Sequence, residues 1–282
     1  MRMLVIGGNG MAGHMLLHHL ANDRSYELFY TLRERALYTL PGAGLYADVR
    51  DANRIEQLLL AVRPDVIVNA VGLLNDLARQ HEVDAYTING LLPHRLAAIA
   101  DRIRAKVIHI STDCVFEGKR GGYTERHVPD GTTVYARTKA LGEVTFGQHM
   151  TIRTSIIGPE LRKDGIGLLR WFLLQQGEIK GYTRVPWNGV TTLELAKFIQ
   201  HVCESGGALS GLVHLTAPET VSKYELLLKF QRAFNKQDVT IVPDDVIVLD
   251  RTLISTRSDL SYTVPSYDDM LAELRDRMMK LP

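Results

Sequence analysis

Met3-Leu4-Val5-Ile6-Gly7-Gly8-Asn9-Gly10-Met11-Ala12-Gly13 is the stretch that decides the fold. Four apolar residues read as a short buried strand, the glycines as a tight turn, and the apolar run through Leu20 as a helix. A glycine turn between strand and helix lets the backbone approach a pyrophosphate. The helix N-terminus adds free N–H groups and a positive dipole end. The spacing is G-x-x-G-x-x-G, unlike the G-x-G-x-x-G of many dehydrogenases. Gly7, Asn9, Gly10, Met11, Ala12 and Gly13 are therefore expected to line a nucleotide site.

Working outward, Glu27 to Leu32 reads as the second strand. Arg33 follows it where an NAD-preferring site would place an acid on the ribose 2′-hydroxyl. An arginine there suits a 2′-phosphate and favours NADPH, and Glu34 beside it keeps NADH as the alternative. Asp48 ends a small third strand, and its carboxylate can accept from an adenine amino group; Val49 follows it. Asp51 caps a helix over 52–62. Val66 to Ala70 is the apolar run of a strand covered on both faces, and Ala70, Val71 and Gly72 then pass beneath the cofactor. Residues 84–104 are expected to form one long helix kinked at Pro93. Val107 to Ile110 is the next strand, and it delivers Ser111 and Thr112 at its C-terminal end. A helix over Tyr135–Phe146 and a strand over Thr151–Thr154 continue the alternation.

This pattern predicts an α/β fold, a doubly wound parallel sheet with a smaller C-terminal lobe. The cofactor domain is expected over 1–155 with about 186–205, and the substrate-binding lobe over 156–185 and 206–282. In such sheets ligands bind at the carboxyl ends of the strands, where Thr112 and the glycine turn both fall.

The composition, 45% hydrophobic with a net charge of +1 over 282 residues, is that of a globular protein without a polyanion-binding patch, which argues against a nucleic-acid partner. Two cysteines, Cys114 and Cys203, are too few for a disulfide framework or a cysteine-based metal site. The apolar N-terminus reaches glycine too soon for a signal or membrane segment, so a cytoplasmic setting is expected. His14 and His18 stand four apart on the first helix, but with no third ligand in view they read, with His19, as helix-surface residues. No metal is expected.

Tyr135-Ala136-Arg137-Thr138-Lys139 carries the chemistry. A tyrosine and a lysine four apart share one helix face. The free phenol, with a pKa of roughly 10, is a poor proton donor at neutral pH, and a nearby cation would bring it towards the working range. A strand-end hydroxyl such as Thr112 can hold a carbonyl oxygen against that phenol. The set suits proton transfer at a carbonyl oxygen while hydride moves at its carbon.

Gly7-x-x-Gly10-x-x-Gly13, Asp48-Val49, Asn69-Ala70, Ser111-Thr112-Asp113-Cys114-Val115-Phe116-Glu117-Gly118 and Tyr135-x-x-x-Lys139-x-x-Gly142-Glu143 together resemble an extended short-chain dehydrogenase/reductase. The branch resembled is the dTDP-4-dehydrorhamnose reductase family, and the likeness runs to Arg251–Leu260. It implies an extended Rossmann domain and NADPH-dependent reduction of the 4-keto group of a nucleotide-linked 4-keto-6-deoxysugar. Thr112, Tyr135 and Lys139 would be the catalytic set. Tyr135 and Lys139 would also meet the cofactor, as would Asn89 on the long helix. Thr112, Asp113 and Cys114 would face the sugar, with Ile156 where the family often has Trp. Arg162, Lys163 and Arg184 are candidates for the substrate diphosphate; Trp171, Phe172 and Trp187 could stack or pack. Cys114 stands where sugar-nucleotide dehydratases carry a base, which disfavours dehydration. An epimerase, or a regulatory subunit that binds NADP without turnover, are the alternatives. A homodimer through the helices 84–104 and 135–146 is expected from the family.

Overall fold

The structure, a computed structural model, describes residues 1–34, 39–161, 165–206 and 209–281. Strand β1 (Arg2–Ile6) lies inside a seven-stranded sheet, with β2 (Glu27–Leu32) and β3 (Ala43–Tyr46) to one side. To the other side follow β4 (Val66–Asn69), β5 (Lys106–Ile110), β6 (Met150–Arg153) and, after four short strands given below, β11 (Gly211–His214). Every pairing is parallel. The expected doubly wound sheet is present, and its order reverses between β1 and β4, where such folds take ligands.

The strands are apolar on both faces because both are covered. Met3 and Val5 pack with Met15 and Leu16 of α1 (Met11–Leu20). Leu4 and Ile6 face the other way, onto Ile55 and Leu59 of α2 (Ala52–Val62). Each such side chain, once fully buried, contributes roughly 1.5–3 kcal/mol. Asp51 caps α2 as expected, accepting from the Arg54 N–H at 2.9 Å.

The single helix expected over 84–104 is broken up. The chain makes α3 (Asn75–Gln80), α4 (Glu82–Ala85), a wide π-helical turn over Tyr86–Leu91 and then α5 (Leu92–Ile103). Pro93 has no N–H for the Asn89 carbonyl, and the Leu92 N–H reaches back five residues to the Thr87 carbonyl. Proline thus acts through a widened turn, not a simple kink. α6 (Val134–Leu141) is also shorter than expected, ending before Phe146. It stops at Gly142, where any Cβ would sit 1.9 Å from the Asn89 carbonyl oxygen, so helix and π turn meet backbone to backbone.

Beyond β6 come β7 (Ile156–Ile157), α7 (Leu168–Leu173), β8 (Gly177–Tyr182), β9 (Pro186–Trp187), β10 (Val190–Thr191) and α8 (Thr192–Glu204). After β11 the chain makes β12 (Val221–Ser222), α9 (Lys223–Ala233), β13 (Val239–Asp244) and α10 (Tyr267–Met278). β11 falls in the segment 206–282 yet joins the main sheet through β6, with His214 opposite Arg153. Phe172 is buried against Phe230, and Trp187 stacks on Tyr267 with ring centres 5.6 Å apart.

The α1 histidines correct the sequence reading. His14 is fully buried and His18 and His19 half-buried, because α8 packs along α1. His14 Nδ1 bonds the Gly10 carbonyl at 2.9 Å, and its Nε2 has no partner. Burial, reinforced by His18, pulls the His14 imidazole down to about 4. His214 is pulled to about 4 as well, first by burial and then by Arg153. A folded-state pKa below the ordinary 6.5 means the unfolded chain takes up the proton first. Stability is therefore full above about 6.5 and falls as pH drops towards 4, on the order of 3 kcal/mol for His14 alone. Thermal melts between pH 7.5 and 5 should show Tm falling with pH, and a His14→Phe variant should fall less steeply. A flat profile in the parent would contradict this.

Candidate active site

The glycine turn sits at the sheet's reversal point. Gly10 begins α1 with no side chain capping it, leaving the first N–H groups free of a side-chain acceptor. Gly13 tolerates no side chain, since a Cβ there would lie 2.2 Å from the Gly7 carbonyl oxygen. Thr31 ties the turn to β2, accepting from the Gly7 N–H at 3.0 Å. An open, uncapped turn of this kind fits a dinucleotide pyrophosphate.

Just past β2, Arg33 is exposed and paired with Glu34 at 3.0 Å. Asp48 is gripped by Arg50 at 2.6 Å, and Arg50 also holds Asp84 at 3.0 Å. Those hydrogen bonds hold the Asp48 carboxyl below its usual range, so it stays an ionised acceptor. Val49 packs on the core beside it. Ala70, Val71 and Gly72 leave β4 at the reversal point, as expected.

Asn89 is engaged by the protein itself. Fully buried in the π turn, its amide accepts from the Leu73 N–H at 2.8 Å. It donates to the Leu73 carbonyl at 2.9 Å and to Thr138 Oγ1 at 3.1 Å. The side chain clamps the loop after β4 to α6 and so frames the site.

The β5 end and α6 meet as the sequence predicts. Thr112 Oγ1 accepts from the Cys114 N–H and donates to Asp113, both at 3.1 Å, and the buried Tyr135 side chain lies beside it. Lys139 is buried behind, donating to the Ile110 carbonyl at 2.7 Å. The expectation that Lys139 makes the phenol acidic is not met. Burial pushes Tyr135 above its ordinary value, with Cys114 and Asp113 adding to the shift, and only Thr112 opposes it. The phenol is thus a neutral, loaded donor. Lys139 is pulled down by burial to about 8, against the pull of Glu143.

Three neighbours escaped the sequence reading. Lys223, the first residue of α9, lies near Asp113 and over the Trp187 ring at 4.6 Å. Burial pulls it down to about 8, opposed by Asp113. Arg251 donates to the Phe116 carbonyl at 2.8 Å and contacts Cys114 Sγ at 3.6 Å. Asp113 is raised by burial, against Lys223 and Arg251. Cys114 is pushed up to about 12 by burial and by Asp113, so it is no base. The third is His109, under Lys139. Lys223 and Arg251 carry no local signal, because they arrive more than a hundred residues after Thr112, and His109 reads as one more residue of the Val107–Ile110 strand.

Ile156 packs on the core from the short β7–β10 pair, and Arg184 is exposed between β8 and β9. Arg162 and Lys163 lie outside the described residues. Trp171 is exposed. Among the described residues no three His, Cys, Asp or Glu side chains converge as a metal site, and no helix is long and apolar enough to cross a membrane.

Behind the site a buried network runs from strand to strand. Glu143 accepts from Ser111 Oγ at 2.9 Å and from Arg153 at 2.7 and 2.6 Å, and the Arg153 guanidinium lies 5.0 Å over the Phe116 ring.

The family described as RmlD substrate binding domain matches residues 1–247. The chain is similar to dTDP-4-dehydrorhamnose reductase of Mycobacterium tuberculosis, 25% identical over 236 residues, covering 79% of this chain and 72% of that protein. It is also similar to methionine adenosyltransferase 2 subunit beta of Danio rerio, 24% identical over 259 residues, covering 86% and 76% of the two chains. In fold it matches a crystal structure of dTDP-4-dehydrorhamnose reductase from Bacillus anthracis in complex with NADP. That TM-score is 0.82 at 21% identity, over 98% of this chain and 99% of the other.

Proposed function

The chain belongs to the RmlD substrate binding domain family, and on that premise we propose that it is an NADPH-dependent reductase of a nucleotide-linked 4-keto-6-deoxysugar, a dTDP-linked one in the first instance. The observation that carries the reading is buried Tyr135 beside Thr112, with Lys139 behind it, at the strand ends that also carry the uncapped glycine turn. NADPH, when bound, supplies the hydride. Gly7 and Gly10 to Gly13 would hold its pyrophosphate, Arg33, Asp48 and Val49 its adenosine end, and Ala70 to Gly72 with Lys139 its nicotinamide half.

The Thr112 hydroxyl, turned from Asp113, orients the ketone oxygen by donating to it, and Tyr135 passes its phenolic proton to that oxygen as the carbon is reduced. A phenol kept neutral by burial is the form this direction requires. Asp113 and Lys223, acceptor and donor across the cleft, suit the hydroxyls of the sugar ring. With Cys114 protonated, the dehydratase pathway has no base at its strand end. The lobe over 156–185 and 206–282 closes on the domain of 1–155 with about 186–205, and β11 returns from that lobe to the sheet. Val83, Tyr86, Leu91, Leu141 and Phe146 are exposed apolar residues on or beside α4, the π turn and α6, and support a homodimer through those helices. Two free thiols suit a reducing, cytoplasmic setting.

NADPH absorbance, followed with a panel of 4-keto-6-deoxy nucleotide sugars, tests this. Oxidation is expected with a dTDP-linked member. Tight NADPH binding with no oxidation by any sugar would instead fit a regulatory subunit. Cofactor choice has its own test. Arg33→Ala should raise the KM for NADPH about tenfold, the loss of one charge-assisted phosphate contact, and leave NADH nearly unchanged. Equal effects on both cofactors would exclude Arg33 as the 2′-phosphate partner.

A further inference from the structure

Thr112 has one hydroxyl proton, and the structure shows it already engaged. Oγ1 donates to Asp113 Oδ1 at 3.1 Å while accepting from the Cys114 N–H. The same proton cannot also hold a ketone oxygen. Turning it to the substrate strips a donor from a carboxylate that burial already raises above its ordinary range. Left bare, that carboxylate would draw the hydroxyl back or take up a proton. Release of Thr112 therefore calls for another donor to Asp113.

The groups near Asp113 differ in what they can give. The Tyr135 phenol faces it, but its proton is bound for the ketone. The Cys114 thiol is a weak donor. Arg251 is engaged, with Nε on the Phe116 carbonyl at 2.8 Å and a terminal nitrogen 3.6 Å from Cys114 Sγ. Lys223 differs from all of these. Among the described residues its Nζ makes no hydrogen bond, and it lies 4.6 Å over the Trp187 ring. An indole face attracts an ammonium without consuming its three N–H groups. Both halves of this platform are fixed. Trp187 donates through Nε1 to Ser155 Oγ at 2.8 Å and stacks on Tyr267. The Lys223 N–H bonds the Val185 carbonyl at 2.9 Å, and the Ser222–Glu225 capping box opens α9 around it.

We propose that Lys223 is a positioning residue for the reduction: its ammonium, braced on Trp187, takes over the Asp113 carboxylate when Thr112 turns its hydroxyl to the ketone. The purpose rests on the reductase reading; the pairing of Lys223 with Asp113 does not. Only hydrogen bonds change hands. Asp113 loses the Thr112 proton as a partner and gains an N–H of Lys223, and Thr112 keeps the Cys114 N–H. The charged groups around Lys223 agree with this. Asp113 is the one that most favours its ammonium, Cys114 follows, and Glu225 on its own helix is occupied by Ser222. Burial pulls Lys223 down to about 8, against Asp113, so the ammonium is present through neutral pH and is lost above it.

A double-mutant cycle tests this. Lys223→Met keeps an apolar stem along Trp187 and removes the charge. It should lower kcat about tenfold, the scale of one hydrogen bond, and leave NADPH affinity unchanged. In an Asp113→Asn background no carboxylate has to be satisfied, and the same change should cost less than about twofold, whatever Asp113→Asn costs alone. Equal losses in the two backgrounds would mean that Lys223 acts without Asp113, and no loss in the parent would mean that it does not act; either overturns the proposal. A second readout needs no substrate. Carbon spectra of aspartate-labelled protein follow the Asp113 carboxyl, assigned by its loss in Asp113→Asn. Its midpoint should rise in Lys223→Met, and an unmoved midpoint overturns the pairing. If the parent oxidises NADPH with no 4-keto sugar, the reductase reading falls, and the carboxyl titration still decides whether Lys223 holds Asp113.

Discussion

Tyr135→Phe should lower kcat by about 10³-fold, the scale of a lost general acid, and leave NADPH affinity nearly intact. The ring stays, so the packing of Tyr135 in its small cluster with Ala78 and Ala85 is kept. Only the hydroxyl beside Thr112 is removed. Single-turnover absorbance with the active sugar, beside cofactor titration by fluorescence, separates the two quantities. Turnover within a few-fold of the parent would dismiss Tyr135 as the proton donor. The pH dependence adds a sign. Because burial raises the phenol, Tyr135 stays protonated through the neutral range and gives no basic limb there. Any limb near 8 belongs instead to Lys139 or Lys223, each of which loses its charge as pH rises through that value.

The second large effect concerns folding. Glu143 and Arg153 form a bidentate pair whose side chains are 7% and 3% exposed, which makes the pair a buried one. Removing one partner of such a pair leaves a charge in low dielectric with nothing to meet it, at a cost of about 3–5 kcal/mol. Arg153→Met is expected to fall in that range by urea denaturation. Glu143→Leu combined with Arg153→Met should recover much of the loss, since an apolar pair needs no compensation. A single-variant loss below about 1 kcal/mol would mean that water reaches the carboxylate. Ser111 shares the network and adjoins Thr112, so the destabilised protein should also lose kcat ahead of cofactor binding.

The local grammar of the chain was legible where short-range physics settles it. β2 came out at Glu27–Leu32 and α2 at 52–62 with its Asp51 cap, because an apolar run or a capping carboxylate needs no distant partner. The glycine turn and the meeting of Thr112 with Tyr135 were readable for the same reason: strand ends in a parallel sheet share one edge. The errors have equally physical causes. His14 looked like a surface residue until α8, nearly two hundred residues away, covered it. The long helix hid its π turn, because a proline states that a hydrogen bond is missing but not how the chain absorbs the loss. Asn89 became a clamp only once the loop at Leu73 and Thr138 of α6 came within reach of its amide.

By itself, then, the sequence determined the sheet, the glycine turn and the meeting of Thr112 with Tyr135 at the strand ends, all of which follow from spacing along the chain. Tertiary structure alone decided the electrical state of that set. Burial, which no spacing encodes, raised Tyr135 and lowered Lys139 against the simple pairing of cation and phenol. It also brought Lys223, Arg251 and His109 around them, because electrostatics inside a protein answers to distance through space and to the loss of water.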